Sequence, residues 1–165
     1  METIKKNPNA TAYQEISKLI FDNDGYCVCA LQKNDDTRCI CKDFHSQDSC
    51  GFCHCGRYYK IKEYPVITLC GSTRFKEQFI EMQKKLTLQG WIVISVGLFG
   101  HSGDDEVWSD GAKKMLDDIH KAKIAMSDAI FVINPDGYIG DSTASEIEWA
   151  QDLGKDIYYL EEKGE

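Results

Sequence analysis

Val66-Ile67-Thr68-Leu69-Cys70-Gly71-Ser72-Thr73-Arg74 is the stretch on which the fold turns. A short apolar run stops at a glycine and a string of small polar residues, the pattern of a buried strand ending in a tight turn. A helix is expected from Arg74 to about Leu88. The alternation then repeats. Trp91-Ile92-Val93-Ile94-Ser95-Val96 reads as a second strand, a polar loop runs from Gly97 to Ser109, and a helix continues to about Met126. Ala129-Ile130-Phe131-Val132-Ile133 is a third strand, Ser142 to Leu153 a helix, and Ile157-Tyr158-Tyr159-Leu160 a last strand. Apolar strands alternating with amphipathic helices imply an α/β fold, a parallel sheet of about four strands flanked by helices.

In such a flavodoxin- or Rossmann-like sheet, ligands bind beyond the carboxyl ends of the strands. The relevant loops follow Cys70, Val96 and Ile133. At the first, Gly71 permits a close turn, Ser72 can cap the helix, and exposed amides favour an anion. Arg74 adds a charge-assisted contact for a phosphate. The third loop is Asn134-Pro135-Asp136-Gly137-Tyr138-Ile139-Gly140-Asp141-Ser142-Thr143-Ala144-Ser145-Glu146. It opens a helix and puts Glu146 in the first turn, beside the same edge. Thr143 and Glu146 also have the spacing of a capping box.

Upstream of Tyr64-Pro65 the composition changes. Seven of the eight cysteines fall between Cys27 and Cys55, which divides the chain into domains 1–63 and 64–165. A helix from Asn9 to Asn23, capped by Asn9 and ended by Gly25, places Tyr13, Ile16, Leu19 and Ile20 on one face. From Tyr26 to Gly56 large aliphatics are sparse, so a bound metal centre is the expected source of folding energy. The formal net charge is −8 and no basic stripe is present, which argues against a nucleic acid polymer as partner. Neither a signal peptide nor a membrane-length apolar run is visible, so a cytoplasmic location is expected. There, clustered cysteines read as metal or redox centres rather than structural disulfides.

The cysteines are ordered Cys27-Val28-Cys29, Cys39-Ile40-Cys41 and Cys50-Gly51-Phe52-Cys53-His54-Cys55. Thiolates suit an iron–sulfur cluster or zinc, and four suffice for either. Two more beside a cluster can cycle between dithiol and disulfide. This arrangement resembles the catalytic chain of ferredoxin–thioredoxin reductase over residues 7–60, with Cys53-His54-Cys55 the most specific element. The resemblance implies a small helical iron–sulfur domain in which Cys27, Cys39, Cys41 and Cys53 hold a [4Fe–4S] cluster. It also implies a redox pair, Cys29 and Cys55, with His54 beside it to exchange protons. A ferredoxin-like electron donor and a thioredoxin-like disulfide are the implied partners. Val28 and Ile40 replace the prolines of that family. Cys50 is extra, and its distance from Cys41 matches the family spacing better than Cys53 does. A structural zinc site is the alternative.

Residues 65–160 resemble the nucleoside 2-deoxyribosyltransferase superfamily, which includes the 2′-deoxynucleoside 5′-phosphate N-hydrolases. The Cys-Gly-Ser-x-Arg run at Cys70–Arg74 is closer to the hydrolases. The resemblance implies that Glu146 attacks the anomeric carbon and that Asp128 positions or protonates the base. Gly71, Ser72, Thr73, Arg74 and Ser142 would hold the 5′-phosphate of a deoxynucleoside monophosphate. Relatives build shared sites in dimers, so a homodimer is implied too. Asp141 stands one residue off the family's second acid, and Phe75 follows the first loop. A non-enzymatic nucleotide sensor, braced by a cluster or zinc, is the alternative to an enzyme. Elsewhere, His101, Asp104, Asp105 and Glu106 read as a solvated loop or lid rather than a metal site. Met115, Ile119 and Met126 are expected in the core, and His120 on a helix surface.

Overall fold

The computed structural model describes residues 2–105 and 111–162. The chain divides into two compact units, Met1–Glu63 and Tyr64–Glu165.

The second unit holds a four-stranded sheet of β4 (Val66–Gly71), β5 (Ile92–Ile94), β6 (Ala129–Ile133) and β7 (Asp156–Tyr159), in the order β5-β4-β6-β7. Every pairing is parallel. Three helices flank it: α3 (Lys76–Leu88), α4 (Ala112–Met126) and α5 (Asp141–Asp152). Burial on both faces explains the unbroken apolar strands. Ile67 and Leu69 of β4 face one way, packing with Ala129, Ile133 and the α3 residues Phe79, Met82 and Leu86. Cys70 faces the other way, packing with Ile130, Val132, Ile124 of α4, and Ile147 and Ala150 of α5.

The chain leaves β4 toward β5 and leaves β6 toward β7, in opposite directions along the sheet. The loops after these adjacent strands therefore diverge and open a crevice, as expected at a topological switch point. Gly71 is required there: its φ is +152°, and a Cβ would stand 2.7 Å from the Ile133 carbonyl oxygen.

Three sequence expectations change. Helix α3 starts at Lys76 with no side-chain cap, so Ser72 does not cap it. Helix α5 starts at Asp141 behind Gly140, with no capping-box bond, which moves Glu146 into the second turn. Met115, Ile119 and Met126 are 55%, 43% and 74% exposed, because Ile124 takes the core-facing side of α4.

The first unit is mixed rather than purely helical. Helix α1 (Ala10–Asp22) is capped by the Asn9 side chain accepting from the Ala12 amide, and the Gly25 amide reaches back to the Ile20 carbonyl. Ile20 is buried but Leu19 lies on the outer side. Around this helix the chain adds β1 (Glu2–Lys6), β2 (Gly51–Phe52), β3 (Tyr58–Lys62) and the one-turn α2 (Lys42–His45). The three strands form an antiparallel sheet, β1-β3-β2. Among the described residues, no helix is long and apolar enough to cross a membrane.

Candidate functional site

In the first unit, backbone bonds gather the cysteines. The Cys27 amide donates to the Thr37 carbonyl at 2.8 Å and the Cys39 amide to Gly25 at 3.0 Å, which sets the first two pairs side by side. Cys41 opens α2. The Cys53 amide donates to the Tyr58 carbonyl, and the Gly56 amide back to Cys53, so the β2–β3 turn carries the last pair. Lys60, 5% exposed, supports this turn by donating to the carbonyls of His45 and Gln47.

Cys27 and Cys53 are buried, Cys39, Cys41 and Cys55 half-buried, and Cys29 and Cys50 exposed. The Cys53 and Cys55 sulfurs stand 3.5 Å apart. Burial, then the Cys27 and Cys53 sulfurs, raises Cys29, and burial pushes Cys55 up to about 12. Burial also raises Cys41, with Cys27 adding to it. Thiolates crowded and desolvated in this way call for a cation. Hydrogen bonds already point at the sulfurs: the Tyr58 amide donates to Cys53 Sγ at 3.2 Å, and Arg57 Nη1 to Cys39 Sγ at 3.2 Å. Arg57 is itself held by Ser17 and the rings of Tyr13 and Tyr58. The donor set therefore fits a thiolate-held metal centre. His54 is exposed.

In the second unit, a cleft of about 550 Å³ opens at the carboxyl ends of β4 and β6. It joins Gly71, Ser72, Thr73 and Arg74 to Ser142 and Glu146, six of the residues singled out in the sequence. At its mouth, Arg74 Nε donates to Ser72 Oγ, and Nη2 donates to the Tyr138 hydroxyl, with the guanidinium 4.5 Å from the ring centre. His101 also lines the cleft, its Nδ1 2.9 Å from Thr73 Oγ1. Asp104 accepts from the Phe99 amide and braces that loop, while Glu106 lies outside the described residues.

Glu146 lies deep in the cleft wall, and burial pushes its carboxyl up to about 8, with the neighbouring Cys70 thiol pulling the other way. Beside it stands His120, a residue the sequence reading left on a helix surface. It is 7% exposed, and its Nε2 lies 3.7 Å from Glu146 Oε1. Burial, then the Lys123 charge, lowers His120 to about 4. Helix α4 takes this orientation because Thr68 of β4 and Ser127 bond each other and both bond the Lys123 carbonyl, while Lys123 Nζ reaches the Ser95 carbonyl. The spacing of His120 ahead of the third strand gave no hint of this; the signal lay only in its alignment with Ile124, one turn on.

Asp128 is not brought to the cleft. It sits at the amino end of β6, where its carboxylate accepts from the Val66 amide at 2.7 Å and its own amide donates to the Val66 carbonyl. It clasps the start of two strands, at the opposite end of the sheet from Glu146. Asp117 and Asp141 are the acids that line the cleft beside Glu146. No family model matches the chain, and no curated protein sequence matches it.

Proposed function

We propose that the chain joins an iron–sulfur disulfide-reductase-like unit to a unit that cleaves the N-glycosidic bond of deoxynucleoside 5′-monophosphates. The observation that carries the second half is the single cleft shared by the Gly71–Arg74 loop and Glu146. A 5′-phosphate suits the loop amides and the Arg74 guanidinium at the mouth. The sugar then points inward toward Glu146. Its carboxylate bonds to the anomeric carbon as the C–N bond breaks, and the electron pair leaves with the base, which takes a proton from water in the cleft. Water hydrolyses the glycosyl ester and returns Glu146.

Base release from deoxynucleoside monophosphates tests this reading. It is expected in the wild type and reduced by at least about 10³-fold in Glu146→Gln. One observation favours a second reading, a nucleotide sensor without turnover: the proton held on Glu146 to about pH 8 makes it a hydrogen-bond donor rather than a nucleophile. Binding of a deoxynucleotide with no base released would establish the sensor.

For the first half, Cys27, Cys39, Cys41 and Cys53 hold a [4Fe–4S] cluster, which supplies electrons one at a time when bound. The exposed Cys29 attacks a thioredoxin-like disulfide, and Cys55 resolves the mixed disulfide, leaving two thiols on the target and a Cys29–Cys55 disulfide. Two electrons delivered singly by a ferredoxin-like donor, with two protons from water, would restore the dithiol in the reducing setting of the cytoplasm. Anaerobically purified protein is expected to be brown, with iron and sulfide. Colourless protein with stoichiometric zinc on the cysteine unit would overturn this half.

A further inference from the structure

We propose that Cys70, His120 and Glu146 form a second metal site, for one divalent ion of the zinc(II) class, at the inner end of the cleft. The donors come from three elements, β4, α4 and α5. One ligand atom from each lies within 4.8 Å of the others, and His120 Nε2 is 3.7 Å from Glu146 Oε1. A tetrahedral zinc ion spaces its nitrogen, oxygen and sulfur donors about 3.3–3.7 Å apart. Small side-chain rotations close the set.

Two buried atoms give independent support. Among the described residues, His120 Nε2 and Glu146 Oε2 have no hydrogen-bond partner, although His120 is only 7% exposed. Nε2 stands 3.7 Å from the other Glu146 oxygen, Oε1, beyond hydrogen-bond reach, and buried polar atoms are normally satisfied. An ion between them satisfies both and takes the Cys70 sulfur as a third donor. Thiolate, imidazole and carboxylate together select a borderline ion over magnesium or calcium, which take oxygen ligands. His120 and Glu146 line the cleft, so the fourth position faces water or a bound ligand.

The consequence for catalysis rests on the hydrolase reading: an ion on Glu146 occupies the proposed nucleophile, so zinc suppresses base release. Metal binding itself does not depend on that reading. The test equilibrates the full chain, purified anaerobically, with micromolar zinc(II) and measures zinc per chain. Glu146→Gln and Cys70→Ala are each expected to hold about one zinc fewer than the wild type, with affinity down at least about 100-fold. Glu146→Gln keeps the shape and neutrality of the buried acid, so circular dichroism should show a native fold. Cys27→Ser, in the other unit, is expected to keep the ion that these two variants lose. Equal zinc in the wild type and either folded variant would overturn the site. Zinc loss in the variants with no base release in any state would end the hydrolase reading alone. Base release without a zinc difference would end the metal site alone.

Discussion

The two units solve the same folding problem by different means. The second buries a continuous apolar layer on each face of its sheet. In the first, the buried apolar side chains among the described residues are Ile20, Phe44, Cys27 and Cys53, and two of these are cysteines. A unit with so little to withdraw from water needs another term to offset the entropy of ordering its chain. The proposed thiolate-held centre would supply it. On that reading the two units fail differently: through cofactor loss in one, and through packing defects in the other.

Removing the metal centre breaks the comparison most severely. Chelation of iron is expected to unfold the first unit outright while the second keeps its structure, because metal binding there is folding free energy. Limited proteolysis should then cut between residues 26 and 56 and spare the sheet unit; a first unit still protected after iron removal would show that its core suffices. Phe79→Ala is the reciprocal experiment. Phe79 of α3 is fully buried against the sheet and meets the Phe99 ring edge-on. Its truncation should cost about 3–5 kcal/mol in the second unit, read by denaturant unfolding, with iron content unchanged.

A smaller effect sharpens what burial does to chemistry. Burial holds the Glu146 proton to about pH 8, so the carboxylate fraction is small at pH 6 and grows as pH rises. In the metal-free protein the rate of base release should therefore rise about 50-fold from pH 6 to 8, and level off about 100-fold up above pH 9. A flat profile would mean that Glu146 is already ionised in the complex. The smallest effect expected is from Asp128→Ala. It removes one acceptor at the exposed amino end of the sheet, so stability should fall by about 1 kcal/mol with base release unchanged. A large loss of activity would restore the catalytic role that the family resemblance implied.

Much of the second unit was legible. Strands buried on both faces are continuous apolar runs, and Val66–Cys70 and Ala129–Ile133 announce themselves without any partner. The loop after β4 was legible for the same reason, since Gly71 breaks such a run where the backbone must approach Ile133. The antiparallel sheet of the first unit was not. β1 is Glu-Thr-Ile-Lys-Lys, with one large aliphatic residue, and its partner β3 lies more than fifty residues away. Nothing local marks β1 as a strand, and Tyr58-Tyr59-Lys60-Ile61-Lys62 of β3, though rich in strand-favouring residues, does not name its partner.

The candidate site divides along the same line. Local sequence determined which residues are candidates for chemistry and which loops close the sheet: the cysteine pairs, Gly71 to Arg74, and Glu146 on the helix after β6. Tertiary structure decided which of them meet. It buried His120, which stands between Ile119 and Lys121 in the sequence, because α4 is turned by the Thr68–Ser127 contact and lies against α5. It removed Asp128 to the far end of the sheet and set Cys70 beside Glu146. The physical reason is range. Apolar pattern and turn chemistry act between near neighbours in the chain, whereas burial of a polar side chain depends on how two helices pack across a strand.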